Sequence, residues 1–406
     1  MNRRSFLTTL TSLALGSGLT SCQDGSQQVL RLLTLKGSIP PQLLSEFSKS
    51  IQPISTRVEL VAEGQFKEIM TQLQEWQKTG KAEAKGFKVP LIPPTKSPEY
   101  IPNLASIGDG WLATAIQAKS IQPIDPTKLK NWSKLDPRWH QLAQRDDRGN
   151  STATGQIWGV PYRWGTTVIL YRRDKLAEAN IPIPTDWQDL WNPQLKQRIS
   201  LLDRSREVIG LTLKKLGSSY NTTDLSQLKN LKTELEKLHQ QARFYSSDNY
   251  LQPLIMGDTW VAVAWSADAI DLVQKNSNMG AIVPRSGTAI FADLWVQPAL
   301  SAQLSPAERL AAGNTDRVKL TNQWIDYCLE PKVVNQISLL TSSGSPLLTS
   351  MKPSEILPDV RSNLLVLPQK SILDKSEFIY PLSATKQSEY DRLWQEIRQV
   401  KINVST

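Results

Sequence analysis

Residues 29–76 read VLRLLTLKGSIPPQLLSEFSKSIQPISTRVELVAEGQFKEIMTQLQEW, and this stretch decides the fold class. Apolar runs at residues 29–35 and 56–62 predict two buried strands. An amphipathic helical pattern follows each of them, at residues 42–50 and 65–76. Strands that alternate with helices in this way are typical of an α/β sheet with crossover helices.

The rest of the chain continues the alternation after a proline-rich loop at residues 81–102. Further strands are predicted at residues 156–162, 167–171, 199–202, 260–265 and 281–283. Further helices are predicted at residues 112–119, 187–191, 205–216, 225–242, 318–328, 331–340 and 389–400. The pattern shows no internal repeat.

The composition is that of an ordinary folded protein. The chain has 406 residues, of which 40% are hydrophobic, and this supports one large core or two medium ones. The formal net charge is +9, but acidic residues are scattered among the basic ones, so no nucleic-acid partner is expected. Two cysteines exclude a disulfide framework, and two histidines exclude a His-rich metal site. No metal and no cofactor are expected.

Residues 1–22, MNRRSFLTTLTSLALGSGLTSC, predict an export signal. The Asn-Arg-Arg-Ser-Phe-Leu segment resembles the twin-arginine (Tat) signal of proteins that are exported folded. The Leu-Thr-Ser-Cys segment resembles a lipobox, in which Cys22 becomes the lipidated first residue after a signal peptide of residues 1–21. Residues 22–28 would then tether the protein to a membrane surface. The alternative is an ordinary cleaved signal with a chance cysteine.

Motifs of catalysis are missing from the sequence. There is no G-x-S-x-G, H-E-x-x-H, C-x-x-C or P-loop pattern, so the chain is not predicted to be an enzyme. Residues 108–113 fit the loose dinucleotide pattern G-x-G-x-x-A, but they follow the proline-rich loop, and Asp109 would repel a pyrophosphate. The better interpretation is a helix N-terminus at a cleft, where Asp109 caps the helix or faces a cation.

The most informative local pattern is tryptophan beside carboxylates at predicted strand ends. It occurs at residues 162–166 (YRWGT), 203–207 (DRSRE), 265–268 (WSAD) and 291–295 (FADLW). Aromatic faces attract cations and carboxylates pair with ammonium groups, so a cleft lined by both would bind an organic amine. The alternative is a set of separate core aromatics and surface acids.

Those segments, in this order, resemble the spermidine/putrescine-binding proteins of ABC uptake systems. The resemblance runs from about Leu30 to Leu348. It is densest at 161–176 (PYRWGTTVILYRRDKL), 186–224, 245–270 and 283–298.

The resemblance implies an extracellular solute-binding protein with the type II periplasmic binding protein fold. This is an α/β fold of two lobes, with mixed sheets flanked by helices and a hinge between the lobes. Lobe 1 would comprise residues 29–158 and 286–345, and lobe 2 residues 159–285 and 346–406. The chain is expected to cross between the lobes near Gly159-Val160-Pro161, near Val283-Pro284 and after Ser345-Pro346.

The resemblance also implies a set of ligand-binding residues. Glu207, Asp268 and Asp293 fall at carboxylates of the family, and Trp265 and Phe291 fall at its aromatic rings. These residues would hold amine termini and cover the carbon chain between them.

Several positions depart from the family pattern. The first loop usually reads Tyr-Asn-Trp, but here it reads Leu-Thr-Leu-Lys-Gly-Ser, so an aromatic wall is lost and Lys36 adds a cation. Arg204 stands where spermidine-type members hold a second Asp, and Ser343 stands where they hold a late Tyr. Asp109 is a candidate replacement for a lost acid. The remaining candidates are Trp111 in the same segment and Trp164, which follows Arg163 where the family has an apolar residue.

The predicted function is capture of putrescine or a spermidine-like polyamine by the substrate-binding component of an ABC importer. The protein is expected to be a monomer in the periplasm, lipid-anchored to the membrane, that hands its ligand to a permease. One alternative is a binding protein for an anionic or zwitterionic solute, held by Lys36, Arg204 and Arg163. Another is a scaffold or sensor that kept the fold and lost the ligand.

Overall fold

The computed structural model describes residues 28–51, 56–80, 87–88 and 102–400. The predicted signal peptide, Cys22, nearly all of the tether and most of the proline-rich loop lie outside these residues. Within the described ranges, no helix combines the length and the apolar character that crossing a membrane requires.

Strands and helices alternate along most of the chain. The strands are β1 Gln28–Leu35, β2 Thr56–Glu63, β3 Phe87–Lys88, β4 Leu104–Gly108, β5 Ile121–Gln122, β6 Gln144–Arg145, β7 Gln156–Ile157, β8 Val160–Arg172, β9 Ile199–Leu201, β10 Ala242–Tyr245, β11 Val261–Trp265, β12 Met279–Ile282, β13 Ala289–Pro298 and β14 Glu377–Phe378. The helices are α1 Pro41–Ser50, α2 Phe66–Thr79, α3 Leu112–Gln117, α4 Pro137–Ala143, α5 Arg173–Glu178, α6 Ser205–Lys215, α7 Leu231–Gln241, α8 Leu251–Met256, α9 Ser266–Lys275, α10 Pro306–Ala312, α11 Thr315–Cys328, α12 Pro331–Leu340, α13 Pro358–Ser362, α14 Lys370–Leu373 and α15 Ala384–Gln399.

One mixed sheet runs through the molecule in the order β10-β9-β11-β8-β13-β4-β1-β2-β3. β1 is parallel to β2 and β4, whereas β13 is antiparallel to both β4 and β8. β11 is antiparallel to β8 and parallel to β9. The mixed α/β sheet with flanking helices confirms the predicted class.

Two hydrophobic cores flank the two long central strands. The first core packs around β1, β2 and β4 and includes Leu30, Phe47 and Trp324. The second core packs around β9, β10 and β11 and includes Trp187 and Leu235. Because β8 and β13 contribute side chains to both cores, they carry the chain from one to the other.

The chain passes from one hydrophobic core to the other at later residues than the predicted lobe crossings. On β8, Trp164 still packs in the first core and Val168 is the first residue in the second. On β13 the change falls between Ala289 and Ile290. After the predicted third crossing the chain stays with the first core as far as Phe378, because β14 pairs with β13 there.

Two predicted elements differ from the structure. The strands predicted at 156–162 and 167–171 are the two-residue β7 and the single long β8, since pairing with β13 holds residues 163–166 extended. The helix predicted at 225–242 begins at Leu231. Asp224 accepts the backbone N–H of Ser226 and caps a short 3-10 helix at Leu225–Gln227, which residues 228–230 separate from α7.

Candidate functional site

Seven side chains converge where β11, β8, β13 and β4 lie side by side in the sheet. We call them the strand-end cluster: Asp109, Arg163, Glu207, Trp265, Asp268, Phe291 and Asp293. Asp109 follows β4, and Trp265 ends β11. Glu207 and Asp268 lie in the first turns of α6 and α9, so each carboxylate sits at a helix N-terminus that favours negative charge.

Asp293 and Arg163 form an ion pair across two strands. The two residues are register partners on β13 and β8, and Arg163 donates to Asp293 Oδ2 from Nε at 2.7 Å and from Nη2 at 2.5 Å. Asp293 is buried, and burial raises its pKa while the guanidinium acts to lower it. Asp293, one of the carboxylates that the resemblance implies for ligand binding, is therefore already paired with a cation of the chain.

Asp109 does not cap a helix. Its Oδ1 accepts the backbone N–H of Ala292 at 3.0 Å, which ties the end of β4 to β13. Burial and, to a smaller extent, the negative charge of Asp293 raise the pKa of Asp109 to about 6, against the Ala292 N–H and the Arg145 guanidinium, which act to lower it. Arg145 is thus a cation of the chain that acts on Asp109.

Glu207 is the carboxylate of α6, and it is buried. Its Oε2 accepts the Thr167 hydroxyl at 3.1 Å. Burial raises its pKa to about 7, opposed by the Thr167 hydrogen bond and by Arg204 and Arg206, and Asp109 adds to the rise. Glu207 and Asp109 therefore lie within electrostatic range of each other, although their elements belong to different cores.

Trp265 and Phe291 meet edge to face at the centre of the cluster. Their ring centroids are 5.2 Å apart at an interplanar angle of 84°. Gly165 makes room for them, because a Cβ at this position would lie 2.5 Å from the Phe291 ring and 2.7 Å from Ser266 Oγ. The guanidinium of Arg204, an exposed residue, lies 5.7 Å from the centroid of the Trp265 ring. An aromatic surface that would suit a ligand cation thus already has a cation of the chain beside it.

Asp268 is held by a tyrosine. The Tyr250 hydroxyl donates to Asp268 Oδ2 and accepts the backbone N–H of Trp265 at 3.2 Å. Burial raises the pKa of Asp268, and the neighbouring carboxylates Asp271 and Asp248 also raise it. Within the described residues, Asp268 forms no ion pair. It is the carboxylate of the cluster whose charged neighbours are themselves acidic.

Of the other predicted site residues, Trp164 and Ser343 lie inside the core, whereas Lys36 and Trp111 follow the parallel neighbours β1 and β4. Trp164 is 1% exposed and packs against Trp139 and Gly344, so it is a core residue. Ser343 is buried, and its hydroxyl donates to the Thr341 carbonyl. Lys36 is exposed after β1, and Trp111 is partly buried against the first core.

The structure adds three residues that the sequence reasoning missed. Tyr250 orients Asp268. Arg145 is 2% exposed, and its guanidinium lies 5.2 Å from the centroid of the Tyr380 ring. The Tyr380 carbonyl accepts Arg206 Nη1 at 3.0 Å, so this tyrosine links the surroundings of Asp109 to those of Glu207. Tyr380 follows the end of the family resemblance, and Arg145 belongs to no motif, so only the fold could reveal them.

Metal binding finds no support in this geometry. Among residues 28–51, 56–80, 87–88 and 102–400, no group of three or more His, Cys, Asp or Glu side chains is arranged to hold an ion. Arginine nitrogens lie beside three of the carboxylates.

Comparison with known proteins identifies a matching family and several relatives. The profile of a family described as "Bacterial extracellular solute-binding protein" matches residues 101–363. The spermidine/putrescine-binding periplasmic protein of Escherichia coli K12 is 28% identical over 278 residues, which cover 68% of this chain and 72% of that protein. The protein of the same name from Salmonella typhimurium is 26% identical over 390 residues, 95% of this chain and 97% of that protein.

A solved structure shares the whole fold. The spermidine/putrescine ABC transporter substrate-binding protein PotD of Streptococcus pneumoniae superposes with a TM-score of 0.71 at 20% identity. The superposition covers 92% of this chain and 99% of that one. The expected periplasmic binding protein fold is thereby confirmed.

Proposed function

The chain belongs to the bacterial extracellular solute-binding protein family, and on that premise we propose that it is the polyamine-capturing component of an ABC importer. The observation that carries the proposal is the meeting of Asp268 with the Trp265–Phe291 pair at the junction of the two cores. An acidic group beside aromatic faces is the chemistry that recognises an organic ammonium. On this proposal the chain binds and delivers its ligand without changing it chemically.

Capture follows from this geometry. A ligand ammonium pairs with Asp268, and the methylene chain lies against Trp265 and Phe291, where it buries apolar area. Movement of the two cores toward each other about β8 and β13 then removes water from the pair. An exposed ion pair contributes only about 0–1 kcal/mol, whereas a desolvated, hydrogen-bonded pair contributes more.

The anionic or zwitterionic alternative has a specific observation in its favour. Arg204 lies on the Trp265 ring, and Arg145 and Arg163 lie among the carboxylates. Arg163 Nε and Nη2 both contact Asp293, however, so this cation is already paired within the chain. The alternative therefore ranks second.

A thermal-shift panel separates these functions. A ligand that binds only the folded state raises the melting temperature with concentration. We expect putrescine-type amines or spermidine to raise it and small dicarboxylates to leave it unchanged. The reverse pattern would support the anionic alternative, and silence with every compound would support a scaffold that has lost its ligand.

The cellular location belongs to the same proposal. The curated relatives are periplasmic, and residues 1–22 of this chain carry the twin-arginine and lipobox patterns. We expect Arg3→Lys with Arg4→Lys to block export of a folded fusion, and Cys22→Ala to release the protein from membranes. Cys22→Ala protein that still sediments with membranes would contradict the anchor.

A further inference from the structure

Three of the four carboxylates in the strand-end cluster have an arginine of the chain beside them. Arg163 is ion-paired with Asp293, with its Nη2 at 2.5 Å. Arg145 lies close enough to Asp109 to stabilise its charge. Arg204 and Arg206 do the same for Glu207. Each of these three carboxylates therefore already has a cation of the chain acting on it before any ligand arrives.

Asp268 is different. Its hydrogen-bond donor is the neutral Tyr250 hydroxyl, and the charged groups that act on it are the carboxylates Asp271 and Asp248. This end of the cluster also carries Trp265. It is therefore the end with an unbalanced negative charge, and one ammonium group would balance it.

Near Asp109 the chain offers a donor instead of an acceptor. Arg145 is 2% exposed, and its Nη1 is buried without a hydrogen-bond partner among the described residues. A buried guanidinium N–H without an acceptor is unfavourable, so a ligand that brings a carbonyl oxygen stabilises it. A second ammonium there would instead approach Arg145 and Arg163.

We propose that the site selects a polyamine with one free ammonium, held at Asp268, whose other end is capped by a hydrogen-bond acceptor, as in a mono-N-acylated diamine. The inference rests on the proposed function, because it takes the polyamine class as given and specifies its form. It differs from capture of a bare diamine, for which both ends of the pocket must accept a cation.

Titration calorimetry with matched four-carbon amines tests this assignment. The probes are putrescine, N-acetylputrescine and 4-aminobutyrate, which share the ammonium and differ at the far end. We expect N-acetylputrescine to bind about ten-fold or more tightly than putrescine, since the like-charge contact is absent. 4-Aminobutyrate, whose far end is a carboxylate, tests the zwitterionic alternative: tighter binding than N-acetylputrescine would favour that alternative over a capped amine and overturn this inference.

Two substitutions move the preference in opposite ways. Arg163→Met restores an apolar residue and frees Asp293, so putrescine should gain affinity relative to N-acetylputrescine. Arg145→Met removes the unpartnered donor, so N-acetylputrescine should lose affinity while putrescine does not. Arg172→Met is the matched control, because Arg172 pairs with Asp174 at the far end of β8. It should leave the preference unchanged.

The outcomes separate the two proposals. Putrescine that binds wild type as tightly as N-acetylputrescine, or more tightly, overturns this inference and leaves polyamine capture standing. A preference that survives both Arg163→Met and Arg145→Met also overturns it. Failure of every amine, spermidine included, to bind wild type overturns both proposals. The comparison of the probes with the wild-type protein is decisive by itself. The inference can therefore be overturned even if one of the variants fails to fold.

Discussion

Burial of Glu207 makes the ligand-free protein sensitive to pH. Its pKa is raised to about 7, so between pH 4.5 and 7 the folded protein holds a proton that the unfolded chain has lost. The free energy of unfolding therefore falls as pH rises through this window. Glu207→Gln keeps the size of the side chain and removes the charge, so the variant should gain stability over wild type between pH 4.5 and 8, by about 3 kcal/mol at most.

Chemical denaturation across this pH range measures the difference. Glu75→Gln is the control, because Glu75 is an exposed carboxylate on α2. It should track wild type at every pH. A Glu207→Gln variant whose advantage is the same at pH 4.5 and pH 8 would show that the carboxyl is charged throughout, against this account.

Arg204 competes with a cationic ligand for the face of Trp265. Its guanidinium lies 5.7 Å from the ring centroid and is exposed. An exposed cation–π contact is worth about 0.5–1 kcal/mol, so Arg204→Ala should tighten amine binding about two- to five-fold. Arg198→Ala is matched to it, since Arg198 lies 4.8 Å from the Trp260 ring outside the cluster, and should not change the affinity. Weaker amine binding in Arg204→Ala would favour an anionic ligand.

Among the elements, β8 depends on a glycine where it passes the aromatic pair. A Cβ on Gly165 would come within 2.5 Å of the Phe291 ring and 2.7 Å of Ser266 Oγ, so both side chains would have to shift. Gly165→Ala should lower the free energy of unfolding by about 1–3 kcal/mol and weaken ligand binding. Gly110→Ala, which meets nothing within 4 Å, should do neither. Denaturation and calorimetry on the two variants check this, and equal stability would contradict it.

Many of the elements were predictable from periodicity, and the failures have causes that are partly local and partly distant along the chain. The pattern at residues 29–76 predicts β1, α1, β2 and α2 because each buries one apolar face. Residues 163–166 gave no strand signal, because strand pairing with β13 and the glycine contact with Phe291 come from distant parts of the chain. At residues 225–227 a 3-10 helix stands in place of the predicted α-helix, and the Asp224 carboxylate caps it by accepting the Ser226 N–H.

At the scale of the whole molecule, two cores joined by β8 and β13 predict closure about those strands. Trp265 packs against the second core, whereas Ile290 and Ala292, which flank Phe291 on β13, pack in the first. A ligand held between the two rings therefore favours the state in which the cores approach. Small-angle scattering should show a smaller radius of gyration with saturating ligand than without. Asp268→Asn protein at the same ligand concentration should stay at the ligand-free value. An unchanged radius in ligand-saturated wild type would contradict closure.

The site was predictable only in part. Family resemblance names Glu207, Trp265, Asp268, Phe291 and Asp293, and the fold brings all five together. It does not show which acids already have a cation of the chain acting on them, because the partners of Asp109 and Asp293 lie on other elements. The burial of Trp164 follows from its backbone pairing with Gly344, which sequence spacing does not reveal.

The most direct test of the central claim compares amine binding by Asp268→Asn and Asp271→Asn. Both residues lie on α9, but Asp268 accepts the Tyr250 hydroxyl inside the cluster, whereas the exposed Asp271 accepts Ser342 at 2.6 Å. Calorimetry with putrescine and N-acetylputrescine should show Asp268→Asn binding each about ten-fold or more weakly than wild type, and Asp271→Asn close to wild type. Equal affinity in Asp268→Asn and wild type would contradict an amine held at this carboxylate.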